Sequence, residues 1–199
     1  MIYEIKKIAD LSQFKTCPTF QIDHFQWHSI YHPRAKGCVS YMEGKGFPVW
    51  LACEEIHPKA DYTLNFQPVY KDSALEAFFQ FDLKTPHYFN FEFNAKGACI
   101  AAFGASRYPR TSFTKEQVMA LNIQPMATPL GWQIYFFIPE TLIREFQPDS
   151  NWKRTRHLRC NFYKLSETPE IEHYGSFAPV EGATPNFHEI QSFADARIV

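Results

Sequence analysis

The sequence predicts an all-β fold, an antiparallel, jelly-roll-like β-sandwich with one or two short helices. Short runs typical of strands recur between Gly, Pro and Asp turn signals. Aromatic residues, which favour strands and fill cores, make up 17% of the chain. The stretch "HYFNFEFNAKG", positions 87 to 97, puts three phenylalanines on one face of a strand and polar side chains on the other.

Nine runs are predicted to contain the strands. In chain order they are FQIDHFQWHSIY, CVSYME, PVWLACEE, YTLNF, ALEAFFQFDL, HYFNFEFN, ACIAAFG, GWQIYFFIP and LRCNFYKL. Alternation divides the fifth run into an inward face of Leu75, Ala77, Phe79, Phe81 and Leu83 and an opposite face of Glu76, Phe78, Gln80 and Asp82. The stretch "FDLKTPHYF" then predicts a hairpin corner that joins this strand to the next.

Two helices and a terminal strand complete the prediction. Thr114, followed by Gln117, forms a capping-box pattern at the start of "TKEQVMAL". "PETLIREF" begins with Pro139, whose fixed φ suits the first helical position. The stretch from Thr168 onward has too many aromatic and aliphatic residues for a solvated tail, so we expect an ordered loop and a last strand.

The composition predicts one domain, residues 1–199, with a core of substantial size. Lys and Arg number 20 against 21 Asp and Glu, which gives no reason to expect nucleic acid or a membrane as partner. The first residues contain neither a signal-peptide pattern nor a transmembrane run, so we expect a cytoplasmic protein. Five widely spaced cysteines, without a C-x-x-C pair, predict reduced buried thiols.

Common catalytic motifs are missing from the sequence. It contains no G-x-G-x-x-G, no P-loop, no H-E-x-x-H and no G-x-S-x-G. His24, His28 and His32 are spaced by four, but their aromatic surroundings suit a strand, on which they would lie too far apart to share a metal ion. Glu76 and Glu92 would approach each other if their strands pair, and two nearby carboxyl groups are what a glycosidase requires.

An ordered series of segments carries a family resemblance. It consists of PVYKDSALEAFFQF, YFNFEFNAKG, GASRYPR, NFYK and HYGSFAPVEGATPNFHEIQSF. The series resembles the family 9 carbohydrate-binding module, in its nearly free-standing branch, from about Trp27 to the C-terminus. The resemblance implies a β-sandwich that holds a sugar between two tryptophans. Such modules are often joined to xylanases and can carry structural calcium, and no other cofactor is expected.

The resemblance also implies positions for the sugar contacts. Tyr70 and Phe177 stand where the family has its two tryptophans, so we expect a smaller stacking surface and weaker affinity. Glu76 is similar to the acid that accepts hydrogen bonds from sugar hydroxyls. Asn90 and Glu92 occupy strand positions that carry further polar contacts. The polar face of "HYFNFEFNAKG" would then be the floor of a sugar site.

The expected function is therefore non-catalytic binding of a mono- or oligosaccharide, clamped between aromatic side chains. A glycoside hydrolase that uses Glu76 and Glu92 is one alternative. A haem-binding sandwich is another, and its candidate ligands are His173, His188 and Met126.

Several other polar and aromatic side chains have predicted structural roles. We expect Asp72 to cap a turn. Arg107 and Arg110 could reach a sugar or an anion, but the sequence around them favours a position beside a solvated loop. Trp152, in a polar stretch, is a further stacking candidate. The remaining tryptophans, which lie in apolar strand patterns, are expected in the core; they are Trp27, Trp50 and Trp132.

Overall fold

Strands dominate the computed structural model, which describes residues 2–199; Met1, with which the predicted domain begins, lies outside this range. The strands are β1 (Ile2–Lys7), β2 (Thr19–Ile22), β3 (His24–Phe25), β4 (Ala35–Tyr41), β5 (Gly46–Cys53), β6 (Ala74–Gln80), β7 (Tyr88–Asn94), β8 (Cys99–Gly104), β9 (Thr111–Ser112), β10 (Gln124–Thr128), β11 (Gly131–Pro139), β12 (His157–Ser166), β13 (His173–Ser176) and β14 (Ala194–Ile198). The helices are α1 (Lys115–Ala120), α2 (Glu140–Phe146) and α3 (Trp152–Thr155).

The strands join into one curled sheet of mixed direction. Its main path runs β10-β11-β5-β4-β1-β14-β12-β6-β7-β8-β9, and β2, β3 and β13 attach to it as branches. The pairings are antiparallel except at β1, which runs parallel to both β14 and β4. The prediction of a β-rich fold with few helices is confirmed. Purely antiparallel pairing is not found, because β1 lies between two strands that run in its own direction.

Phenylalanine side chains fill the space that the curled sheet encloses. Phe91 of β7 packs against Phe136 of β11 with ring centroids 5.4 Å apart, and Phe47 of β5 packs against Phe81 at 5.1 Å. The predicted inward faces of β6 and β7 are fully buried in this core. Leu83, which was predicted to share that face, is 39% exposed because it lies in the turn between β6 and β7.

The opposite face of β6, β7 and β12 is also covered over most of its area. Phe78, Tyr88 and Tyr163 form a second apolar cluster with Phe187 and Phe193, which belong to the segment between β13 and β14. The predicted loop and last strand are confirmed by this segment and by β14. All seven residues of β7 are consequently buried, including the polar ones.

The helices and tryptophans differ in part from expectation. Thr114 Oγ1 accepts a hydrogen bond from the Gln117 N–H at 3.2 Å, and Gln117 Oε1 accepts one from the Thr114 N–H at 2.8 Å, so the capping box is confirmed. Pro139 is the residue before α2 rather than its first. Trp152 is 2% exposed and packs against Phe47 and Phe81, so the prediction that it could stack on a ligand was wrong. No helix among residues 2–199 is long and apolar enough to cross a bilayer.

The cysteines, the remaining tryptophans and Asp72 can be compared with their predicted positions. All five cysteines are buried free thiols, as predicted. Trp132 is in the main core, whereas Trp27 and Trp50 are half-buried, each against a different smaller apolar cluster. The Asp72 carboxylate accepts hydrogen bonds from the N–H groups of Asp61 and Tyr62 and from Asn94 Nδ2, so it joins distant segments rather than capping its own turn as predicted.

Candidate functional site

A pocket of about 290 Å³ opens on the polar face of β6 and β7, where the C-terminal segment leaves that face uncovered. Four of the five site residues predicted from the sequence line it: Tyr70, Glu76, Asn90 and Glu92. Strand alternation explains why three of them meet. Glu76 on β6 faces Glu92 on β7 directly across the antiparallel ladder, and Asn90 lies two residues from Glu92 on the same face.

Two buried carboxyl groups form the floor of this pocket. Glu76 is 3% exposed and Glu92 is 6% exposed. Asn90 Nδ2 donates a hydrogen bond to Glu92 Oε1 at 2.8 Å. Burial raises the pKa of Glu76 well above its usual range, and the neighbouring Glu92 raises it further. Burial also raises the pKa of Glu92 to about 7, although the Asn90 hydrogen bond and Arg110 act against this rise.

The raised pKa values give the floor both donor and acceptor capacity near neutral pH. A protonated carboxyl group has one O–H donor, and a carboxylate has only acceptors. Since burial disfavours two adjacent negative charges, we expect at least one proton to remain on the pair at pH 7. Sugar hydroxyls, which both donate and accept, are complementary to such a floor.

Arg110 fixes the orientation of the floor amide. Its Nε donates to Asn90 Oδ1 at 2.9 Å, and its terminal nitrogens donate to the carbonyl oxygens of Ser106 and Tyr88 at 2.7 and 3.0 Å. Because Asn90 Oδ1 accepts from Arg110, the Asn90 amide nitrogen is directed to Glu92. Residues 106–109 are exposed, as the predicted solvated loop implies, but the Arg110 side chain lines the pocket and contacts Asn90.

Tyrosines supply the aromatic surface of the walls. Tyr70 lies half-buried in a single 3₁₀ turn before β6. Tyr108, in the turn before β9, is 77% exposed. Tyr174 of β13 is 6% exposed, and its hydroxyl donates to Glu172 Oε1 at 2.8 Å. Tyr108 and Tyr174 were not identified from the sequence.

Phe177 does not lie at this pocket. It is 7% exposed and packs in the main core, with ring centroids 5.0 Å from Phe20 and 5.8 Å from both Tyr3 and Phe162. Phe177 and Tyr174 are three positions apart, and an odd spacing along an extended chain places side chains on opposite faces. The structure therefore separates Phe177 from the other predicted contacts and puts Tyr174 in the pocket instead.

The residues proposed for haem binding are also scattered. His188 lines the pocket, but its Nδ1 is 2.7 Å from the Tyr88 hydroxyl. His173 Nε2 is hydrogen-bonded to Lys164 Nζ at 2.8 Å, and Met126 lies 56% exposed on β10. These three side chains do not surround one cavity, so nothing in their arrangement favours haem binding.

Metal ligands are not gathered in the described part of the chain. Within residues 2–199, no three side chains among His, Cys, Asp and Glu are placed to hold one ion. The chain turns at Trp27 and His28, which have φ of 51° and 59°, and this turn interrupts the strand predicted through His24 and His32.

Several solved structures have a fold similar to that of this chain. A protein from Bacteroides uniformis ATCC 8492, provisionally described as carbohydrate-binding, has a similar fold, with a TM-score of 0.83, 18% identity and 98% coverage of both chains. A family 9 carbohydrate-binding module from Caldicellulosiruptor kristjanssonii in complex with cellotriose has a TM-score of 0.67 and 6% identity, with 100% of this chain and 93% of that chain covered.

A structure of a family 9 module from the same organism, in complex with glucose, has a TM-score of 0.62 and 7% identity, with 100% and 96% coverage. At these identities the likeness shows the fold. No curated protein sequence matches the chain. The model of carbohydrate-binding family 9, however, matches residues 6–198, nearly the whole sequence. This chain belongs to carbohydrate-binding family 9.

Proposed function

We propose that this protein binds a mono- or oligosaccharide, without cleaving it, in the pocket above Glu76 and Glu92. The observation that carries the proposal is the pairing of these two buried carboxyl groups beside Asn90, between tyrosine-lined walls. A pyranose has C–H groups on its faces and hydroxyls at its edge. Aromatic rings suit the faces, and carboxyl and amide groups suit the edge.

Each contact has a defined role in this proposal. Glu76 and Glu92 exchange hydrogen bonds with hydroxyls at the deep end of the pocket, and Asn90 adds a further polar contact. Tyr70 stacks on one face of the sugar. Tyr174 takes the second aromatic position, which the sequence comparison had assigned to Phe177.

The family supports glucose-type sugars as ligands. Modules of the same fold are known in complex with cellotriose and with glucose. We infer that the curled sheet of this chain is a jelly-roll-like sandwich of the same kind, with the pocket on the uncovered part of the polar face of β6 and β7. A structural calcium ion, which the family resemblance implied, is not needed for the contacts proposed here.

Titration calorimetry tests the proposal. The purified protein is titrated with glucose, xylose, cellobiose and xylobiose, and we expect at least one Kd in the micromolar to millimolar range. Aryl glycosides incubated with the protein should remain intact. Absence of heat with every sugar, from a protein that melts cooperatively, would contradict the proposal, and release of the aryl group would favour the hydrolase alternative.

A further inference from the structure

The paired carboxyl groups of the pocket have no ion-pair partner in the described part of the chain. Among residues 2–199, no Lys, Arg or His nitrogen lies within 4.0 Å of a carboxyl oxygen of Glu76 or Glu92. Three other buried acids each have one: Glu55 pairs with Lys164, Asp72 with Lys59, and Glu140 with Lys153. A buried carboxylate without a counter-ion is energetically costly. Among the buried acids of residues 2–199, Asp82, which is 9% exposed, also lacks an ion-pair partner, but Glu76 and Glu92 are the two that face each other in a pocket.

The two nearby guanidinium groups are engaged elsewhere. Arg110 donates to Asn90, Ser106 and Tyr88, and its guanidinium lies 4.3 Å from the centre of the Tyr88 ring. Arg107, which is about half exposed, lies 4.0 Å from Glu167. Both arginines lower the pKa of Glu92 through space, but neither forms an ion pair with it.

The other titratable groups around the floor add no positive charge. Glu167, which follows β12, adds a further acid to the wall. Tyr163 of β12 pairs with Glu76 in the ladder, and its hydroxyl donates to the Phe187 carbonyl oxygen at 3.2 Å. Burial lowers the pKa of His188 to about 3, so its imidazole is neutral at pH 7. Neither floor carboxyl group therefore has an ion-pair partner among residues 2–199, although Arg107 and Arg110 also line the pocket.

The walls are also suited to a cation. Tyr70, Tyr108 and Tyr174 all line the pocket. The faces of aromatic rings attract ammonium groups as well as sugar C–H groups. An ammonium has three donors and a charge, whereas a hydroxyl has a single donor.

We propose that the preferred ligand of this pocket is an amino sugar with a free ammonium group, which serves as the counter-ion of the Glu76 and Glu92 pair. The inference rests on the proposed saccharide-binding function and adds the chemical class of the sugar. As the ammonium binds, one carboxyl group of the pair loses its proton to solvent, and the carboxylate so formed balances the charge of the ammonium, while the other carboxyl group stays protonated. A uronic acid, whose carboxylate would face two acids, is disfavoured.

Calorimetry at pH 6.5, where the ligand amines are protonated, tests this inference. Glucose is compared with glucosamine and 6-amino-6-deoxyglucose, which carry the ammonium at different positions of the ring, and with glucuronic acid. We expect one of the amino sugars to bind at least about tenfold more tightly than glucose, and glucuronic acid to bind more weakly. Repetition in two buffers of different ionisation enthalpy should reveal proton release with the amino sugar.

Two variants distinguish the effect of the Glu76 and Glu92 pair on amino-sugar binding from the effect of the net charge of the protein. Glu76→Gln should reduce the ratio of amino-sugar affinity to glucose affinity toward one. Glu4→Gln, which removes an exposed acid on β1 outside the pocket lining, should leave that ratio unchanged. Thermal melts establish that both variants are folded.

The outcomes distinguish this inference from the function on which it rests. Tight amino-sugar binding with proton release supports both. If glucose binds and both amino sugars bind equally or more weakly, the inference is wrong and the saccharide-binding function stands. If no neutral or amino sugar binds to the folded protein, the proposed function itself is wrong.

Discussion

Glu76 on β6 and Glu92 on β7 lie directly opposite each other in an antiparallel ladder, and both are almost completely buried. Like charges placed opposite each other across two strands are destabilising, and burial increases the cost. An arrangement of this kind weakens the fold, so it is better explained by ligand binding than by stability. It also makes the protein sensitive to pH in a predictable direction.

Stability should fall as pH rises through the range in which Glu92 ionises. Its pKa is about 7 in the folded protein and 4.5 in its unperturbed state, so between these values the folded state binds more protons than the unfolded state. Glu92→Gln removes this ionisation. Its free energy of unfolding relative to wild type should therefore increase by on the order of 3 kcal/mol from pH 4.5 to pH 8.

Urea denaturation of both proteins across this pH range measures the effect. Buried histidines such as His188 titrate in both proteins, so their contribution cancels in the difference. If the free energy of unfolding of Glu92→Gln minus that of wild type stays constant or declines as pH rises, burial does not keep the Glu76 and Glu92 pair protonated.

Tyr70 should contribute measurably to affinity for the sugar. Tyr70→Ala removes a ring that lines the pocket, and we expect binding to weaken by about 1 kcal/mol or more with the fold intact. Tyr135→Ala is a matched control, because Tyr135 is a half-buried tyrosine on β11 outside the pocket lining. Calorimetry that finds equal losses in the two variants would argue against stacking on Tyr70.

Replacement of Phe177 should affect stability, whereas replacement of Tyr174 should affect sugar binding. Phe177→Leu reduces packing in the main core, so we expect a loss of about 1–2 kcal/mol in stability with unchanged sugar affinity. Tyr174→Leu should weaken sugar binding. Thermal melts and calorimetry on both variants measure stability and sugar affinity. Weaker sugar binding by Phe177→Leu, with unchanged binding by Tyr174→Leu, would indicate that Phe177 is the second aromatic contact.

A buried ion pair next to β13 should be important for stability. Lys164 Nζ lies 3.5 Å from Glu55 Oε2 and donates to Ser73 Oγ at 2.6 Å, and all three side chains are buried. Lys164→Met leaves Glu55 without its counter-ion, so we expect a loss of about 3 kcal/mol. Adding Glu55→Gln should recover part of that loss. Denaturation of the single and double variants measures the coupling free energy between Lys164 and Glu55. Strictly additive losses of stability would mean that these two side chains do not interact.

Periodicity in the sequence predicted much of the fold and the centre of the site. The alternation in "HYFNFEFN" correctly separated the phenylalanine core face from the face that carries Asn90 and Glu92. Local capping chemistry likewise identified the start of α1 at Thr114. These features are encoded within a few residues, so no knowledge of the distant chain was required.

The missed site residues depend on long-range packing. Arg110 follows a turn whose sequence is polar, and only the closure of that turn over β7 places its guanidinium beside Asn90. Tyr174 could have been identified, because in "HYGSF" it has the opposite parity to Phe177. Trp152 lies among polar neighbours, and the single turn of α3 directs its indole into the core, which sequence alone did not indicate.

The most direct test of the location of the site is a titration of isotope-labelled protein with glucose, followed by amide chemical shifts in NMR spectra. We predict that the largest shifts occur in β6, in β7 and at residues 105–110 and 185–188, which border the pocket. Shifts concentrated instead around Phe177 and β2, with the pocket unaffected, would contradict the account.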